Sequence, residues 1–145
     1  SNDIIEGIYM PKKPKLKEHC IDYCKELEAK ERFTHTIWPP HCLVGSDGHS
    51  INAHINRALQ NWSVQHLTNV EYIFKGMNPL TEHFSAFQSE VPIDDDPSTK
   101  LNTNLIKKLK GFEKVFVCGQ ALSHCVNYSL RDLIENWDQR RLGDI

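Results

Sequence analysis

"VFVCGQALSHCVNYSL", residues 115–130, sets two cysteines in different surroundings. Lys114 leads into an apolar, β-prone run ending at Cys118, the pattern of a strand covered on both faces. Gly119 breaks that run. Beyond it Leu122, Cys125, Val126, Leu130, Leu133, Ile134 and Trp137 recur at helical spacing. A strand that passes through a glycine into a helix is half of a parallel βα unit. The first turn of such a helix offers N–H groups without intrahelical partners and the positive end of its dipole, a setting that favours an anion such as a thiolate. Cys125 falls there, either as an activated thiol or as a small filler on the helix's apolar stripe.

Two more segments read as strands. "RFTHTIW" (32–38) is stopped by Pro39-Pro40, which cannot continue a ladder, and "VEYIF" (70–74) is left through Lys75-Gly76. Between the strands lie helical patterns. Leu16, Cys20, Tyr23, Cys24 and Leu27 recur at three and four residues. Ser50 is placed to cap a helix with Ile51, Ile55, Ala58, Leu59 and Trp62 on its stripe, and Asn102 or Thr103 to open one carrying Leu105, Ile106 and Leu109. "KGMNPLTEHFSAFQSEVPIDDDPSTK" (75–100) is too rich in proline and polar residues for a regular element, and loops of that length are usually functional or disordered. Strands alternating with helices predict an α/β fold: a parallel sheet flanked by helices on both faces, in one domain over residues 1–145.

A chain of 145 residues has room for one core, and 39% hydrophobic with 25% charged residues is globular composition. Seventeen basic and nineteen acidic residues are interspersed, so no basic stripe marks a nucleic-acid partner. The apolar runs are too short to span a membrane. Five cysteines without framework spacing read as reduced thiols, which predicts a cytoplasmic protein.

In parallel α/β sheets, ligands bind where the strand-to-helix loops gather. Three segments would meet there: "HTIWPPHCLVGSDGHSI" (35–51), "FKGMNPLTEHFSAF" (74–87) and "VFVCGQALSHCVNYSLRDL" (115–133). In this order they resemble the nicotinamidase (pyrazinamidase) branch of the isochorismatase-like cysteine hydrolases, over roughly residues 30 to 135. The resemblance implies hydrolysis of a small carboxamide, nicotinamide to nicotinate and ammonia, through a thioester on Cys125. Lys75 matches the lysine that supports the thiolate. A cis peptide matches Gln120–Ala121, and the amides of Ala121 and Cys125 match an oxyanion hole. His41 matches a histidine that binds a divalent metal (zinc, iron or manganese); its other reading is a loop hydrogen-bonder. Isochorismatase proper, which uses no cysteine nucleophile, is disfavoured by "SHCV".

The family's catalytic Asp and its remaining metal ligands belong to an N-terminal portion with no counterpart here. The ligand set is therefore incomplete, and weak or no activity is expected of these residues alone. Two partners follow from that reading: a second copy in a homo-oligomer, or a complementing N-terminal segment. The competing function is a catalytically inactive, truncated fold used in assembly with another chain. His35 and His49 read as structural or exposed. His19 with Cys20 and Cys24 invites a zinc reading, but one helix face cannot supply four ligands, and the cysteines fit the buried stripe. Phe84 and Phe87 either wall a pocket or pack.

Overall fold

The computed structural model describes residues 1–30 and 33–145. Every regular element among them is helical. The α-helices are α1 (Asn2–Ile5), α2 (Lys17–Ala29), α3 (Ala53–His66), α4 (Thr103–Leu109) and α5 (Asn127–Glu135), with a π-helical turn over Leu122–Val126 leading into α5. Short 3-10 turns cover Pro14–Leu16, Asp47–His49, Pro97–Thr99 and Gln139–Asp144. The residues group into two compact units: Ser1–Thr34 with Phe74–Ile145, and His35–Ile73. No helix among the described residues is long and apolar enough to cross a membrane.

The expected parallel sheet is absent among the described residues, and the α/β reading is corrected to a helical one. Apolar, β-branched sequence makes a segment suited to a pleated surface, but a strand exists only when a neighbouring backbone supplies the ladder. Among the described residues neither 70–74 nor 114–118 is part of a strand, and both run as irregular chain. The same holds for 33–38; Arg32, with which that segment was expected to begin, lies outside the described residues. The Val115 N–H donates instead to the Asp144 carbonyl at 2.7 Å, in the C-terminal 3-10 turn. Phe116, expected on a doubly covered strand, is 92% exposed, and Phe74 is 62% exposed.

Within the larger unit, burial falls on two clusters. Phe87, Ile106, Leu133 and Trp137 form one, with Leu101, Leu105, Leu109, Val115 and Ile145 packed around it. Tyr23, Cys24 and Leu27 of α2 form the other, against Ile4, Phe33 and Val91. The α2 stripe is thus the face that the spacing predicts, and Cys24 is core, with its thiol pushed up by burial. The Trp137 indole N–H donates to the Arg141 carbonyl at 3.1 Å, so its polar edge is satisfied while its rings pack. An open apolar groove of about 370 Å³ runs beside this cluster, lined by Val117, Leu130, Ile134, Leu142 and Ile145.

The long irregular segment after Lys75 is the most enclosed polar stretch of the unit. Thr81, Ser85, Ser89, Glu90 and Thr99 are buried there alongside Phe87. Buried hydroxyls must be hydrogen-bonded, and here they bond to the chain's own backbone. Thr81 Oγ1 donates to the Val91 carbonyl (2.8 Å) and Ser89 Oγ to that of Thr99 (3.0 Å). The Ile93 N–H donates to Thr99 Oγ1 (2.8 Å), and the Asn102 N–H to the Phe87 carbonyl (2.7 Å). Serine and threonine hydroxyls close this loop much as ladder bonds close a sheet.

Helix starts follow local side-chain chemistry. Asn102 caps α4, its Oδ1 accepting from the Leu105 N–H at 3.0 Å. Asn102→Ala is expected to cost about 1 kcal/mol, measurable as a lower urea midpoint at unchanged m-value. In the smaller unit the cap of α3 is Asn52, whose Oδ1 accepts from the His54 N–H at 3.0 Å. Ser50 and Ile51 therefore stand outside the helix that they were expected to begin. The stripe expected there is not buried: Ile55 and Trp62 are exposed.

Candidate active site

Cys125 is half-buried in the π turn that precedes α5. The turn is set by one acceptor, the Ala121 carbonyl, which takes the N–H of His124 at 3.0 Å and of Val126 at 3.2 Å. A π turn carries one residue more than an α turn, and such turns are frequent at functional sites. Gly119 enters the approach with φ of +149°, a backbone that side chains rarely adopt. The peptide bond between Gln120 and Ala121 is cis. It lies at the step to which the resemblance assigns one. Leu122, expected on the buried stripe, is 75% exposed.

Lys75 leaves its segment through Gly76, whose φ of +70° turns the chain back on itself. This return lets the Lys75 ammonium donate to the carbonyl of His83 at 2.9 Å. The next residues lie on the helix of Cys125. The Phe84 ring stacks on Tyr128 with centroids 5.6 Å apart and stands 5.7 Å from the ring of His124, the residue beside Cys125. The Ala86 N–H donates to Ser129 Oγ at 2.9 Å. Phe33 meets Phe84 edge-on at 4.8 Å, and Arg131 stands over Tyr128 at 6.0 Å. The segment that holds the ammonium thus packs on the first turns that carry the thiol. Phe87 packs in the core, and Phe84 walls the start of α5.

None of the roles that the sequence implies for the site falls on His83. Its ring is half-buried, and its Nε2 is enclosed without a hydrogen-bond partner. Burial pushes the imidazole below the ordinary histidine range, and the Lys75 ammonium pushes the same way against the opposing pull of Asp132. The signal available for it was its place eight residues beyond Lys75, in the loop that brings the lysine back.

His41 belongs to the smaller unit, where it is exposed. Its Nδ1 donates to the Pro39 carbonyl at 2.7 Å, and Trp38 lies 5.9 Å from its ring. Nε2 is the nitrogen that this leaves for a metal. A firmly held divalent ion needs three or more protein donors, and no such group of His, Cys, Asp and Glu occurs among the described residues. His41 alone does not fit a resident metal. His19 is likewise accounted for without one, its Nε2 lying 2.8 Å from the Leu80 carbonyl. All five cysteines are free.

Comparison with protein-family models, curated proteins and solved structures found no match to this chain.

Proposed function

We propose that the site around Cys125 is that of a carboxamide hydrolase of the nicotinamidase type. The observation that carries this reading is the packing of the Lys75 segment, through Phe84 and Ala86, on the helix turns beside Cys125. In the proposed reaction the Cys125 sulfur attacks the carboxamide carbon and the C–N bond breaks. The nitrogen leaves as ammonia, taking the proton that the thiol gave up. Water then cleaves the thioester, and nicotinate leaves. Lys75 supports the thiolate, and the amides of Ala121 and Cys125 receive the developing oxyanion. The reading carries with it a cytoplasmic chain acting as a homo-oligomer or with a complementing segment.

Access and activation rank the two candidate thiols in opposite orders. Cys118 is exposed and Cys125 half-buried, so access alone makes Cys118 the faster to alkylate. The hydrolase reading expects the reverse at neutral pH, because reaction goes through the thiolate. Site-resolved iodoacetamide labelling, read by peptide mass spectrometry, decides between them. Cys125 reacting no faster than Cys118 counts against an activated nucleophile.

A second reading, a catalytically silent chain that assembles with a partner, is favoured by the exposed apolar residues of the three β-prone segments. Ile37, Phe74 and Phe116 are each exposed to solvent, available to a partner chain. The two readings part on ammonia release from nicotinamide.

A further inference from the structure

We propose that His83 is a positioning residue for Lys75: it presents the loop carbonyl that takes the Lys75 ammonium, and it holds that carbonyl in place only while its own ring is uncharged. This rests on the hydrolase reading, in which Lys75 acts on Cys125.

The Lys75 ammonium donates to the His83 carbonyl at 2.9 Å, so the position of residue 83 bears on that of the ammonium. In the proposal, the enclosure of the same residue's ring sets that position. It is half-buried with Nε2 shut away from any partner, an arrangement already costly for a neutral group. A charged imidazolium in the same enclosure costs more, because two N–H donors and a full charge lose their water. Two charged groups act on the ring: Lys75 from the segment before the loop, and Asp132 from α5. Asp132 favours the imidazolium; burial and Lys75 oppose it, and together they win. Protonation in acid places a second cation beside Lys75 and makes the enclosure untenable. The loop then gives way at residue 83, and the ammonium loses its anchor. Lys75 is held at neutral pH and released as pH falls through the titration of His83.

The test compares the full chain with its His83→Gln and Cys125→Ala variants from pH 5 to 8. Three readouts are taken: site-resolved iodoacetamide labelling of Cys125, ammonia release from nicotinamide, and the NMR titration of the His83 ring. The general loss of thiolate in acid is a background that the parent and the His83→Gln variant share. The parent chain is expected to show an additional fall of about tenfold, centred where the His83 resonance titrates. His83→Gln, which cannot be charged, is expected to lose that additional step; His83→Asn serves if circular dichroism shows the Gln variant unfolded. An unchanged step in His83→Gln, or none in the parent, overturns the positioning role. Loss of ammonia release in Cys125→Ala together with an unchanged step in His83→Gln leaves the hydrolase standing and removes His83 from it. Equal release from Cys125→Ala and its parent removes both.

Discussion

Cys125→Ala is expected to abolish ammonia release from nicotinamide, which the parent chain shows weakly, since deleting a covalent nucleophile costs roughly 10³-fold or more. The side chain makes the bond that splits one difficult hydrolysis into two easier steps, and alanine has no atom to replace it. The loss should appear in kcat, because carboxamide binding does not need the sulfur. Folding is little at risk: Cys125 lies outside both buried clusters, in a turn defined by backbone bonds to the Ala121 carbonyl. Coupled-enzyme detection of ammonia at saturating nicotinamide gives the answer. Indistinguishable rates for the variant and its parent would end the hydrolase proposal and leave the assembly reading.

The second large effect is on stability, and it tests the corrected fold. Leu133 is 1% exposed among Phe87, Ile106 and Trp137, so Leu133→Ala removes buried methyl groups and leaves a cavity, costing about 2–5 kcal/mol. Set against a typical total of about 5–15 kcal/mol, that is a large fraction. Phe116→Ala should by contrast stay within about 0.5 kcal/mol of the parent, since the ring is 92% exposed. A strand buried on both faces would reverse that expectation, because Phe→Ala in a core costs about 3–5 kcal/mol. Urea denaturation of the two variants beside the parent therefore separates a helical fold from a sheet. A Phe116→Ala penalty as large as that of Leu133→Ala would reinstate the buried strand.

What could be read along the chain was local. The stripe of Tyr23, Cys24 and Leu27 is written in spacing alone, and Asn102 announces its helix because capping is a matter between near neighbours. At α3 the spacing points to Ser50 as the cap, because Ile51 is in phase with the stripe, whereas Asn52 caps the helix. The π turn at Leu122–Val126 was invisible as such: one added residue per turn leaves composition unchanged. The strands failed for a different reason. "KVFVC" records a preference for extended backbone, but its hydrogen bonds must come from residues far away in sequence, and no periodicity reports whether they arrive. The same distance in sequence hid His83. Its tie to Lys75 depends on the turn at Gly76 and on the loop's closure through Thr81, Ser89 and Thr99. The roles given to Cys125, Lys75 and the amides rest on resemblance; the structure contributes the packing between their segments.

That closure has a practical consequence for anyone who wishes to modify the protein. The stretch from Thr81 to Thr99 has the spelling of a surface connection, the place where an epitope or fluorophore is ordinarily spliced in. Its hydroxyls, however, are committed to inward bonds with its own backbone, so an inserted residue would break several of them at once. Tags are better placed around Leu67, where the chain leaves α3 fully in water.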